Sequence, residues 1–204
     1  MDDAVTLREN HTVITDVERD VLIRLAADSP KIHGRPETVY HYSEDGTIER
    51  FVPVVPPSNP SHPPAVWALD RDHAPLYWFP RYCPRISVWA YDAEQQERLS
   101  ERFQTEASRI CAAETAWLPA MCTARVYEYS FDADRFAPWA GADGQYISGD
   151  VLTPDEVVLI DDVLALHAQH DVELRFTPRL GRLVDEMLES RLPFGFVRIR
   201  DAQR

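Results

Sequence analysis

Three short stretches of this sequence carry the residue types able to do chemistry. The first is VYHYSEDGTI (39–48), a β-prone run with His41 at its centre that stops in a turn-and-cap sequence. An imidazole there serves as a packing group, a metal ligand or one wall of a binding site. The second, VWALDRDHAPLYWF (66–79), brings the aromatic side chains of Trp67 and Tyr77. The third, GQYISGDVLTPDEV (144–157), opens on Gln145 and Tyr146. The usual phosphate and nucleophile patterns, GxxxxGK, GxGxxG and GxSxG, are absent, and seven glycines leave little material for a phosphate cradle. HExxH is absent as well. His167 and His170 fall near the end of a predicted helix, where they complement its dipole more simply than they bind metal. His41, His62, His73 and Cys83 match no ligand spacing, so no metal is expected.

Composition narrows the classes. A chain of 204 residues, 45% hydrophobic and 27% charged, suits one domain of ordinary size with a real core. No apolar run approaches the ~20 residues that a membrane span needs. The acidic, polar start MDDAVTLREN is unlike a secretory signal, and three cysteines without a CxxC pair suit a reducing compartment. The expectation is a cytoplasmic protein with no membrane contact. A formal charge of −13 argues against broad nucleic-acid binding, although arginines such as Arg81 and Arg85 leave room for a small basic pocket.

The elements that must position these residues read as follows. Residues 1–35 look like a helical extension, with a Thr15-x-x-Glu18 capping box ahead of Val17, Val21, Leu22 and Leu25 on one face. A single α+β domain follows over 36–204. Strands are expected at 39–42, 65–69, 85–90, 125–131, 145–151, 157–160, 172–176 and 194–200. Helices are expected from Asp92 to about Phe103, across 106–118, at 161–170 and at 178–190, the last capped by Thr177. A turn or short helix is expected at 45–51, and another short helix around Pro75, capped by Asp70 or Asp72. The segment PVVPPSNPSHPP (53–64) holds six prolines and reads as a stiff surface connector. Strands that do not strictly alternate with long helices favour α+β over a doubly wound sheet.

In this order, the three stretches resemble the motifs of the histidine–tyrosine–glutamate class of ADP-ribosyltransferases. VYHYSEDGTIERFV is similar to the strand that bears the class histidine, with a small hydroxyl residue, here Ser43, two places on. VWALDRDHAPLYWF is similar to the second motif, a strand running into a helix with an Ala-x-x-Tyr element, Ala74 to Tyr77. GQYISGDVLTPDEV is similar to the strand whose first residue is the catalytic glutamate. The resemblance implies a mixed, mainly antiparallel split β-sheet with flanking helices and a cleft that binds NAD as substrate. Carried over, His41 would bond the adenosine ribose, the Tyr42 backbone would meet the nicotinamide carboxamide, and Tyr77 would stack on the nicotinamide. Ser43, Trp67 and Tyr146 complete the implied cofactor set, and Gln145 stands with His41 as the catalytic pair. The chain as a whole also resembles a bacterial family of unknown function through HYSEDGTIERFVPVVPP, HAPLYWFPRYCPR and VELRFTP.

This sequence departs from the class pattern where charge matters most. Gln145 replaces glutamate, so it supplies neither an anion beside an oxocarbenium-like ribose nor a base. Tyr42 replaces the usual glycine and Ala74 a frequent serine. Two functions follow as expectations: an ADP-ribosyltransferase-like enzyme with an unknown acceptor, or a non-catalytic nucleotide- or partner-binding module on the same fold. Residues 1–35 and the proline-rich loop 53–64 are the candidate surfaces for a protein partner.

Overall fold

The computed structural model describes residues 34–56 and 60–203. The helix expected within 1–35 lies outside the described residues, as do positions 57–59 of the proline-rich segment.

Alternation of side chains along β1 (Thr38–Ser43) lets one strand serve two packing layers. It sits inside a six-stranded antiparallel sheet with β2 (Val66–Leu69), β5 (Val126–Asp132), β6 (Ala137–Pro138), β7 (Gln145–Ser148) and β8 (Glu156–Ile160), in the order β6-β7-β2-β1-β5-β8. β1 pairs with β5 along its whole length, from Thr38 opposite Asp132 to Ser43 opposite Tyr127. Against β2 it is registered only at Tyr40 opposite Leu69.

A second sheet of four strands holds β3 (Arg85–Trp89), β4 (Arg109–Glu114), β9 (Val172–Thr177) and β10 (Phe194–Val197), in the order β10-β3-β4-β9. All pairs are antiparallel except β4 with β9. Four α-helices accompany the sheets among the described residues: α1 (Ala93–Phe103), α2 (Leu118–Met121), α3 (Val163–Gln169) and α4 (Gly181–Ser190). The molecule is therefore α+β, with one antiparallel and one mixed sheet. None of its described helices is long and apolar enough to cross a membrane.

The helix expected across 106–118 is instead β4. Every residue of β4 is buried, because both faces of this central strand are covered. An apolar run without alternation cannot be told from a buried helix by its period. Of the turn or short helix expected at 45–51 the turn is found, followed by an isolated bridge at Phe51, and the short helix around Pro75 is one 3-10 turn, Ala74–Tyr77. One further expectation shifts. The last helix begins at Gly181, with Thr177 Oγ1 donating to the Arg179 carbonyl instead of capping it. Asp92 does cap α1, its carboxylate accepting from Gln95 N at 2.8 Å.

Three apolar clusters fill the layers. Val39, Val66, Ala68, Tyr129, Phe131 and Tyr146 cover one face of the large sheet. Leu69, Ala74, Trp78 and Phe79 pack from its other face against Cys111, Ala113 and Val172 of the small sheet. Ile86, Val88 and Ile110 on the far face of the small sheet pack with Leu99 of α1 and Val184 of α4.

Arg85 crosses the layer between the sheets. It is 3% exposed and has no ion-pair partner among the described residues. Its Nε donates to the Leu76 carbonyl at 2.7 Å and its Nη1 to the Cys83 carbonyl at 3.0 Å, and desolvation pushes its pKa down to about 10. Arg85→Met keeps the bulk but leaves those carbonyls without donors. It is expected to cost about 3 kcal/mol in denaturant unfolding, and Arg85→Lys, which lacks the planar fork, should recover little of it. A loss below about 1 kcal/mol for Arg85→Met would show that the two sheets do not need this link.

Candidate functional site

Register decides which of the expected site residues can meet. Tyr40 lies opposite Leu69, and Leu69 opposite Gln145, so these three side chains share one face of the large sheet. Tyr42 and Trp67, two positions along their strands, share that face too. His41 follows Tyr40 directly and points to the other face, together with Ser43. Tyr146, next to Gln145, also belongs to that second face and packs with Val39, Val66 and Ala68. The His41/Tyr77/Gln145 set is therefore divided by the sheet: His41 stands on one side, with Tyr77 and Gln145 on the other.

Each residue has a local role. The His41 ring meets Phe51 edge-on at 4.9 Å, and its Nδ1 donates to the Trp67 carbonyl at 2.8 Å. That bond bridges β1 and β2 just beyond their single registered pair. Burial pushes the imidazole below its usual pKa of 6.5, outweighing the Trp67 bond, which raises it. The Tyr42 hydroxyl donates to Glu128 at 2.6 Å, and Arg71 grips the same carboxylate with both Nη atoms while its guanidinium covers the Tyr40 ring at 3.7 Å. Burial, then the Glu128 charge, raise the Tyr42 pKa strongly. Ser43 Oγ accepts from Asp45 N in a turn, and the Trp67 ring lies 4.8 Å from Trp139. Gln145 Nε2 donates to the Tyr77 hydroxyl at 3.4 Å, so two of the three central residues do meet. Burial raises the Tyr77 pKa.

The remaining candidates pack. Buried His167 lies 5.3 Å from Trp78 and 5.0 Å from Phe79, with Nδ1 donating to the Val163 carbonyl at 2.6 Å. Arg85, expected as a surface group near a pocket, is the interior link described above.

The arrangement the sequence does not announce centres on His73. Its Nδ1 donates to Asp70 at 2.6 Å, its Nε2 lies 3.1 Å from the Tyr91 hydroxyl, and that hydroxyl is 3.4 Å from Asp143. Asp70 also accepts from the His73 backbone at 2.9 Å, which closes the turn that feeds the 3-10 segment. The chain runs carboxylate, imidazole, phenol, carboxylate. It borders a cavity of about 50 Å³ lined by Asp70, His73, Trp139, Asp143, Gln145 and Tyr146, among others. Gly144 lines it too, with φ +68°, and a Cβ there would collide with the His73 ring. Nothing in the spacing of four residues spread over 70–143 marks them as neighbours. The only sequence signal was the short Asp70-to-His73 separation, which reads as a cap.

Gly144→Ala is expected to destabilise by about 2 kcal/mol or more, through the left-handed backbone and the His73 collision together. An unchanged denaturation midpoint would show that the loop moves away freely. A second expectation concerns pH. Both His41 and His167 are lowered from 6.5 by burial, so below that value the unfolded chain binds protons that the folded chain refuses. Stability should then fall as pH drops below about 6.5, and His41→Gln should flatten part of the slope. A flat profile from pH 7.5 to 5.5 would contradict it.

No curated protein and no solved structure matches this chain. A family model does, over residues 40–202, which runs from β1 through the 3-10 turn Ile199–Asp201 that follows β10. The matched span takes in His41, Tyr77, Gln145 and the whole Asp70–His73–Tyr91–Asp143 chain. The protein belongs to the family described as a family of unknown function, DUF6886.

Proposed function

We propose that this protein is a non-catalytic binding module that holds a small N–H-bearing polar group, an amide or amine, in the recess beside Gln145. The observation that carries the reading is the hydrogen-bonded chain from Asp70 through His73 and Tyr91 to Asp143. One phenolic proton stands between two acceptors, His73 Nε2 and Asp143. A ligand N–H directed at Asp143 takes over one of those acceptors and lets the phenol turn fully to the other. Trp139 lines the recess beside these groups, an apolar complement to a few placed polar ones. The volume of about 50 Å³ suits a fragment rather than a dinucleotide, for which ligand pockets run to ~300–1,000 Å³.

The test is calorimetric titration with nicotinamide, NAD and simple primary amides and amines. Binding of a small amide or amine, weakened at least about tenfold by Asp143→Asn, is expected. Binding unchanged in Asp143→Asn would remove the recess from consideration, and no binding by any of these probes would remove the reading.

A second reading is the ADP-ribosyltransferase-like one, favoured by the Gln145–Tyr77 bond and by the adjacency of β7, β2 and β1, the strands of the three motifs. It requires NAD to take the Gln145 face without His41. On that reading Gln145→Glu supplies the anion missing beside the nicotinamide ribose and raises NAD hydrolysis, up to about a hundredfold. Tyr77→Ala should cancel the gain. Nicotinamide release that is the same in wild type and Gln145→Glu would sink it.

A further inference from the structure

β8 is an edge strand whose composition is wrong for an edge left in water. It pairs with β5 at every position, from Ser130 opposite Glu156 to Val126 opposite Ile160. Its other side receives no backbone or side-chain hydrogen bond from any described residue. Side chains on a half-buried strand alternate between apolar and polar. Here Val157, Val158 and Leu159 are consecutive and 42%, 44% and 38% exposed, so both faces of the edge are apolar and wet. The edge strand β6 at the opposite end of the sheet is only two residues long and ends in Pro138, the usual way of blunting an edge. β8, at about 3.4 Å per residue, presents about 17 Å of open ladder.

Charge says what covers it. Asp155 and Glu156 precede the apolar run, and Asp161 and Asp162 follow it, all exposed. Asp155 is engaged by Arg135 and Asp162 caps α3, while Glu156 and Asp161 have no partner among the described residues. A second copy of this chain pairing antiparallel about Val158 would set Asp155 opposite the partner's Asp161 at both ends. Two like-charge contacts between molecules of formal charge −13 oppose that. A strand with apolar residues at its centre and lysine or arginine at both ends meets no such cost, in either direction of pairing.

We infer that the β8 edge is a docking site for an extended peptide segment of a partner protein, apolar in the middle and basic at both ends, which adds to the large sheet as a seventh strand.

The experiment uses the full chain and a synthetic peptide of about ten residues, alternating valine and threonine, with two lysines at each end. Titration calorimetry is read beside amide hydrogen exchange. The expected result is binding, with new protection confined to β8 amides. The same peptide N-methylated at alternate residues should lose it, since it cannot complete the ladder. Glu156→Lys with Asp161→Lys should weaken the lysine-ended peptide at least about tenfold and admit a glutamate-ended one. Both substitutions fall on exposed side chains, so the fold is left intact. Equal binding of lysine- and glutamate-ended peptides, or of the N-methylated one, overturns the inference, as does no binding at all. A concentration-dependent dimer of the wild-type chain in sedimentation, lost in Val158→Lys, assigns the edge to a second copy and overturns it as well.

Discussion

The Arg85 guanidinium is the constraint on which the two sheets depend. A cation taken out of water without a counter-charge is costly, and carbonyl oxygens can offset that cost only if they are held in place. The oxygens of Leu76 and Cys83 belong to the turn and loop between β2 and β3, so Arg85 can be buried only where that connection is already folded against the small sheet. In return the connection, which carries three buried prolines, Pro75, Pro80 and Pro84, and little regular structure, gains fixed donors. The Tyr77 ring lies 5.7 Å from the same guanidinium. The placement of Tyr77 against Gln145 is thus a consequence of how one buried arginine is solvated by backbone.

Strand parity is the second constraint, and it explains why plausible residues in a plausible order need not form one site. Side chains alternate, so a histidine one residue away from a registered row lies across the sheet from that row. The sequence order of His41, Tyr77 and Gln145 is preserved in the adjacency of β1, β2 and β7, yet adjacency carries no information about face. Face depends on register, and register between β1 and β2 is set by a single pair. The His41–Trp67 bond fills the place where further ladder bonds would be.

Most strands of the large sheet and α1 with its Asp92 cap were legible, because each rests on local signals: alternation, a cap residue, a break at glycine or proline. β4 was not, because burial on both faces erases the period that distinguishes strand from helix. Arg85 read as a surface charge because nothing near it in sequence announces acceptors from a loop that folds back on it. The Tyr77–Gln145 bond follows from the pairing of β2 with β7 rather than from a local signal. The face of His41 and the His73 chain were not legible either, since both follow from long-range pairing, and Tyr91 and Asp143 reach His73 from elements far apart in the chain.

The turn Asp70–His73 joins these constraints. Asp70 holds His73 toward the recess. One residue on, Arg71 lies over Tyr40 and grips Glu128 of β5, which Tyr42 also bonds. Glu128 in turn is registered with Val158 of β8, at the centre of the open edge. A charge-assisted pair with an aromatic cover is stiffer than an exposed ion pair, since the Glu128 side chain is only 13% exposed and its oxygens are fully engaged. The open edge is therefore built on a strand that both β1 and the Asp70–His73 turn hold, and displacing β5 relative to β1 would disturb it. Tyr42, which the resemblance offers as a cofactor contact, and Glu128 act here as the fasteners that keep that geometry fixed.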